Sequence, residues 1–416
     1  MDLAAVVSSL RQEASFMRCV TAWERVPARP PRTACWPKDL DPRLVAAIQR
    51  RGIERPYVHQ AEAMEAALSG DHVVLSTSTA SGKTLAYNGA ALNTLLNDPE
   101  ACALYLFPTK ALAHDQIANL KDLIEALQAQ TAAERAAIAV RPYDGDTPSA
   151  HRSTIRHEAR LVVTNPDMLH VGILPHHTRW MRFFSNLRYV VLDEIHTYRG
   201  VFGGHVANVL RRLRRVCRFY GANPAFICAS ATIANPRELA ERLVEAPVTL
   251  VDQDGAPQGD KHVIFYNPPL LDEQLGIRRS SALESKDLAA KLLKADVQTI
   301  VFARARLTTE VLLGYLRDAV ALSGGEAESV QGYRGGYLPN ERRRIERGLR
   351  DGKIRGVVAT NALELGVDIG QLSACVMTGY PGTIASAWQP AGRAGRRAGL
   401  SSAVLIASAL PLDQYV

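Results

Sequence analysis

The sequence predicts an α/β protein of two tandem domains, each built on a parallel sheet, and three observations carry that expectation. Short continuous apolar runs recur between amphipathic stretches, the pattern of strands covered on both faces by crossover helices. Polar residues collect at the C-terminal ends of those runs, where an open parallel sheet binds ligands. A second series of the same kind follows a looser stretch, and at 416 residues the chain exceeds the size at which one core usually stops growing.

Taken in order, residues 1–40 include PARPPRTACWP and are expected to form an irregular N-terminal extension with an added helix and a Pro-rich arm, to which the sequence assigns no function. Over residues 41–250 the runs VVLST, ALYLFPT, LVVTNP, YVVLDE and AFICASAT predict the strands of a first domain. Residues 251–284 contain DQDGAPQGD and YNPPLLDEQ, rich in Asp, Gly and Pro, and read as a boundary holding a strand or two. From 285 to 416, QTIVFARA, GVVATN, ACVMTG and AVLIAS supply the strands of a second domain.

Composition bounds the function classes. With 47% apolar and 22% charged residues, general disorder is excluded. The net charge of +7 permits an anionic partner without naming one. Arginine clusters at Arg211, Arg212, Arg214 and Arg215 and at Arg342, Arg343 and Arg344 suit phosphate, although a solvated helix face is the plainer reading of each. The six cysteines form no CxxC pair, so they are expected to be reduced core residues rather than metal ligands or a disulfide framework. No segment approaches the roughly 18 uncharged apolar residues of a membrane helix, and a soluble, cytoplasmic protein is expected.

The chemistry begins at VVLSTSTASGKTLAY, which reads as strand, loop and helix. In such a turn the backbone N–H groups of Thr79, Ala80, Ser81 and Gly82 and the following helix N-terminus hold phosphate, Lys83 reaches the β and γ phosphates, and Thr84 ligates Mg²⁺. Thr77 stands where the general GxxxxGK[ST] pattern has its first glycine. The strand YVVLDE ends in the acids an NTP site needs: Asp193 to hold Mg²⁺ and Glu194 to polarise water as general base. An acidic pair at a strand end can also be a mere helix cap.

DEIH resembles the DExH box of superfamily 2 helicases, and the remaining motifs follow in that family's order from about residue 53 to 397. IERPYVHQ resembles the Q motif, with Gln60 suited to an adenine edge. PTKALAHDQ, YDGDT and TNPDMLH resemble the first-domain motifs that grip the sugar-phosphate backbone, implying nucleic-acid contacts from Pro108, Thr109, Lys110, Gly145, Thr164 and Asn165. SATI, with Ser230 and Thr232, and His196 of DEIH resemble the elements that couple the ATP site to the track. In the second domain the resemblance implies nucleic-acid contacts from Arg334 and Thr360, nucleotide contacts from Gly366 and Asp368, water positioning by Gln389, and arginine fingers at Arg393 and Arg396.

The resemblance therefore implies two RecA-like P-loop NTPase domains with an interlobe ATP cleft, using ATP and Mg²⁺. Within the superfamily, YRGVFGGHVANVLRRLRR after DEIHT is similar to the bacterial mitomycin-repair (MrfA) and fungal Hrq DNA helicases. That family implies a 3′→5′ motor on single-stranded or forked DNA acting in repair, without membrane or named protein partners. It also implies a C-terminal domain with a four-cysteine metal cluster beyond LPLDQYV. An RNA helicase or RNA-dependent ATPase remains an alternative, since backbone-gripping motifs are shared. A P-loop kinase or transport ATPase would share Lys83, Thr84 and Asp193 but would not need SATI or GRAGR. A nucleic-acid-binding scaffold with a dead ATPase site would not need the intact set of Lys83, Asp193, Glu194, Arg393 and Arg396.

Overall fold

The computed structural model describes residues 2–128, 138–360, 363, 372–395 and 399–415. Its strands, in chain order, are β1 (Val20–Val26), β2 (Val73–Ser76), β3 (Cys102–Leu106), β4 (Val140–Pro142), β5 (Leu161–Thr164), β6 (Leu187–Leu192), β7 (Ala225–Ser230) and β8 (Thr249–Val251). They continue with β9 (Lys261–Tyr266), β10 (Leu270–Asp272), β11 (Ile277–Arg278), β12 (Thr299–Ala303), β13 (Val330–Tyr333), β14 (Gly356–Ala359), β15 (Ala374–Thr378) and β16 (Ser401–Ile406). The chain divides into two compact units, Pro31–Ala256 and Met1–Pro30 with Pro257–Val416.

In the unit Pro31–Ala256 the sheet order is β4-β5-β3-β6-β7-β2-β8, parallel throughout. The apolar runs fill both faces, as their lack of alternation requires. Leu75, Tyr105 and Val191 pack beneath the helix Lys83–Asn97 on one side. Leu104, Val190 and Phe226 pack beneath Gly200–Phe219 on the other. That helix buries Val206, Val209, Leu210, Leu213 and Cys217, a stripe at helical spacing.

The second unit orders its sheet β1-β9-β16-β15-β12-β14-β13, with only β1 antiparallel. Here the structure departs from the expected boundaries. The helix Leu3–Gln12 buries Leu3, Val6, Val7 and Leu10, and β1 pairs with β9 from Val20↔Tyr266 to Val26↔Lys261. Residues 1–30 are thus part of the second fold rather than an irregular extension. The reason is the i, i+3, i+4, i+7 spacing of those apolar residues, which cannot stay in water. Likewise β9 lies inside the expected boundary segment yet is a full member of the second sheet, so that unit begins at 257 rather than 285. Cys102, Cys217, Cys228 and Cys375 are buried in the two units. Among the described residues no helix is long and apolar enough to cross a membrane.

Candidate active site

The phosphate-loop geometry starts with β2, whose buried Val73, Val74 and Leu75 leave Ser76 and Thr77 at the sheet's C-terminal edge. The loop then closes by side-chain bonds of its own. Thr77 Oγ1 and Ser81 Oγ are 2.6 Å apart, both buried, so the residue replacing the usual first glycine ties the loop's two ends. Ala80 and Gly82 take left-handed φ values of 63° and 80°. For Ala80 that conformation costs about 1 kcal/mol or more, the kind of strain stored at ligand-binding turns. At Gly82 a Cβ would lie 2.5 Å from Gln60 Nε2, so only glycine keeps that contact. The helix Lys83–Asn97 follows at once, directing its N-terminal dipole and unpaired amides at the loop. The Lys83 ammonium donates to Thr77 O (3.1 Å) and Ser78 O (2.8 Å).

Gln60 is almost wholly buried and braces this loop. Its Nε2 donates to Gly82 O at 2.8 Å and its Oε1 accepts from Tyr57 N at 2.8 Å. Each of those atoms keeps one further hydrogen-bonding valence for an adenine edge. Beside it lies a groove of about 700 Å³ lined by Ile53, Tyr57, Gln60, Ala80, Gly82 and Thr84 among others, within the size range of small-molecule sites.

β6 delivers the acids to the same edge. Asp193 N donates to Leu106 O (3.1 Å), extending the β3–β6 pairing by one residue, and Asp193 Oδ1 accepts from Glu194 N (2.8 Å). Glu194 then turns through a left-handed φ of 52°. Burial, reinforced by the neighbouring Glu194 charge, holds the Asp193 carboxyl well above the usual carboxylate range. Tyr87, one turn into the helix, places its hydroxyl 3.2 Å from both Thr84 Oγ1 and Asp193 Oδ2. Burial keeps that phenol protonated, so it donates and joins the two expected Mg²⁺ ligands. Sequence reasoning missed Tyr87, although its i+3 spacing from Thr84 puts both on one helix face.

An all-oxygen donor set of hydroxyl and carboxylate around a buried acid, which burial and the Glu194 charge disfavour against the pull of Lys83, fits a hard divalent cation. Thr84 and Asp193 are the residues that would hold it.

His196 links this site to the Ser230–Thr232 segment. Its Nδ1 lies 3.4 Å from Ala231 N and 3.4 Å from Glu194 Oε2. Burial lowers the imidazole's pKa, favouring the neutral ring that accepts from the Ala231 amide. Among the described residues, His196 Nε2, Ser230 Oγ and Tyr198 Oη are buried without a hydrogen-bond partner. Thr232 is exposed.

The expected nucleic-acid residues divide. Thr109 and Lys110 are exposed at the start of the helix Lys110–Gln128, beside the half-buried Pro108. Lys110 Nζ reaches Asp146 at 2.8 Å, which brings it beside Gly145, where a Cβ would stand 3.4 Å from Nζ. Two motifs far apart in sequence thus form one exposed edge, its lysine paired with an aspartate. Asn165 caps the next helical turn through Met168 N (2.8 Å). Thr164 differs from the expectation: it is 2% exposed and its hydroxyl donates to Tyr143 O at 2.5 Å. Its side chain shapes the YDGDT segment from below instead of meeting phosphate.

In the other unit Arg334 pairs with Glu310 (2.5 Å) and lies over the Tyr337 ring at 4.9 Å. Thr360 is buried at the end of β14, its amide donating to Tyr333 O (3.2 Å). Gln389 and Arg393 are buried at and just after the helix Ile384–Ala391. Gly366, Asp368 and Arg396 lie outside the described residues.

The DEAD/DEAH box helicase family matches residues 57–239, and the helicase conserved C-terminal domain matches residues 284–398. The chain is 54% identical to the uncharacterized ATP-dependent helicase YprA of Bacillus subtilis over 397 residues, 95% of this chain and 52% of that protein. It is 42% identical to the ATP-dependent helicase HRQ1 of Saccharomyces cerevisiae over 87% of this chain and 34% of that one. A crystal structure of the helicase MrfA bound to DNA and AMPPNP superposes with a TM-score of 0.93 at 52% identity, covering 100% of this chain and 56% of MrfA. The chain spans about half the length of YprA and a third of HRQ1.

Proposed function

The chain belongs to the superfamily 2 helicases, in the MrfA/Hrq-like group, and on that premise we propose that it is the ATP-hydrolysing core of a DNA motor that moves 3′→5′ and serves repair. The observation that carries the reading is the convergence of Lys83, Thr84, Tyr87, Asp193 and Glu194 at one sheet edge, in the unit that also carries the exposed Lys110–Gly145 edge. DNA is favoured over RNA because MrfA, 52% identical to this chain, was solved bound to DNA.

The residues divide the work. Loop amides and Lys83 hold the phosphates of ATP, and Gln60 offers its remaining valences to the base. Thr84 and Asp193 are the residues that would hold Mg²⁺, which would supply positive charge to the phosphates. Glu194 takes the proton of the attacking water. Arg393, with Arg396, supplies positive charge to the transferring phosphoryl group from the second unit, which makes hydrolysis depend on both units. Lys110, Thr109 and Gly145 hold backbone phosphates in a sequence-independent way.

The test is steady-state ATPase activity with no nucleic acid, with single-stranded DNA and with single-stranded RNA, using Lys83→Ala as the blank. Stimulation of tenfold or more by DNA, abolished in Lys83→Ala, is the expected result. Stimulation by RNA alone would reject the DNA assignment, and equal turnover in all three conditions would reject the motor reading. Displacement of a strand from 3′-tailed but not 5′-tailed duplexes checks the polarity.

A further inference from the structure

The Pro-rich arm and the DQDG segment carry no role in the site above, yet the DQDG segment bonds to its phosphate loop and the arm bonds to the DQDG segment. The chain passes between the two compact units twice, at Pro30–Pro31 and at Ala256–Pro257. Residues flanking the two crossings are bonded to one another. Arg29 and Gln258 exchange both backbone hydrogen bonds (2.8 and 2.9 Å), and Arg32 N donates to Gly255 O (2.9 Å). The Arg32 guanidinium adds a bond to Asp254 O (3.1 Å). Gly255 sits so close that a Cβ would lie 2.6 Å from Arg32 O and 2.7 Å from Val58 Cγ2. The two passes are therefore one double linker.

That linker is fastened to the phosphate loop at two points. Asp254 Oδ2 accepts from Ser78 Oγ (2.6 Å) and Ser78 N (3.2 Å), while Oδ1 accepts from Ala256 N (2.9 Å) and stiffens the turn. His59, fully buried, accepts from Gly255 N through Nδ1 (3.1 Å). Its Nε2 then carries the proton and donates to Ser81 O (3.1 Å), since a backbone amide can only donate. Ser78 occupies the middle of this relay, because its carbonyl receives Lys83 Nζ (2.8 Å) while its amide and hydroxyl are held by Asp254.

We infer that the Ser78–Asp254 contact, supported by His59, transmits nucleotide occupancy at Lys83 to the double linker, with Asp254 and His59 as positioning residues. The inference rests on the reading of Lys83 as a phosphate ligand. When the Lys83 ammonium turns from Ser78 O to phosphate, Ser78 keeps the turn bond from Ser81 N (3.3 Å) within the loop, and its remaining bonds outside the loop are those to the linker residue Asp254. Packed loops of this kind respond in steps rather than by gradual deformation.

Hydrogen–deuterium exchange of the full chain, with and without a non-hydrolysable ATP analogue and Mg²⁺, tests it. In the wild type the analogue should change exchange at least fivefold in the loop (residues 76–84) and in both linker passes (28–34 and 254–259). In Asp254→Asn the loop should still respond while the linker passes stop responding. Gly255→Ala, which displaces the turn without touching the carboxylate, should do the same, and Asp254→Glu should restore part of the response. A purely structural role would lower the melting temperature without separating loop from linker. Linker exchange that ignores the analogue in the wild type, or that responds equally in Asp254→Asn, overturns the inference. So does a loop that the analogue leaves unchanged. Failure of the motor reading shows separately, as turnover that nucleic acid does not stimulate.

Discussion

Tyr87 shows what one side chain adds at the ATP site. Its hydroxyl bridges Thr84 and Asp193, while its ring packs edge-on against Tyr105 at 5.6 Å. Tyr87→Phe keeps the ring and removes the donor from a buried carboxylate, a loss of about 1–3 kcal/mol at most. The expected outcome is a several-fold rise in the Mg²⁺ concentration for half-maximal ATPase with a smaller fall in kcat. An unchanged Mg²⁺ titration would show that the hydroxyl serves packing alone. Glu194→Gln removes the base but not the charge-bearing lysine, so kcat should fall by roughly 10²-fold or more with ATP binding retained. Turnover within tenfold of wild type rejects that role. At this scale the sequence made the loop and the acids legible because phosphate chemistry fixes residue type and spacing together. It did not reveal Tyr87, since a tyrosine in an apolar helix reads as core. It also misled at Thr164, because a hydroxyl at a strand end looks the same whether it faces phosphate or, as here, a backbone carbonyl.

The helix Ile384–Ala391 shows how an element is held by a residue distant in sequence. Its last carbonyl, Ala391 O, accepts from Lys261 Nζ at 2.6 Å, and Lys261 is only 7% exposed on β9. The contact sits two residues before Arg393. A lysine in such a place satisfies the helix C-terminus but carries a buried charge, and burial lowers its pKa from 10.5 to about 8. The unfolded chain keeps this proton up to about 10.5 while the folded one releases it near 8. Between those values the unfolded state binds more protons, so this group's contribution to stability rises with pH across that window. Below about 8 the full penalty applies, about 3 kcal/mol at most. Urea unfolding at stepped pH should therefore show wild type gaining on Lys261→Met from about pH 8 to 10.5, and parallel curves would remove Lys261 as the cause. A strand or two was expected in this boundary segment, but nothing in KHVIFY announced the lysine's role, because the helix end that it meets lies about 130 residues further along the chain.

Across the whole chain, the order of folding units differs from the order of sequence. The two parallel sheets were legible because continuous apolar runs bounded by helices have few other solutions. Membership at the ends was not legible, since whether residues 1–30 join the first or the second sheet depends on which edge is open. β9 would be an edge strand without β1, and unpaired edges invite association. The helix Leu3–Gln12 adds four buried apolar side chains to the second core, an upper bound of roughly 6–12 kcal/mol. By contrast Pro31–Ala256 is continuous in sequence and has core clusters on both faces of its own sheet. Expressed alone, residues 31–256 should fold cooperatively and bind an ATP analogue, yet hydrolyse ATP at no more than the Lys83→Ala background because Arg393 is absent. Residues 257–416 alone should aggregate, and should become soluble when joined to residues 1–30 through a flexible linker. Light scattering and thermal unfolding of the three fragments decide the matter. A soluble, cooperatively melting 257–416 fragment would show that the N-terminal segment decorates that core rather than completing it.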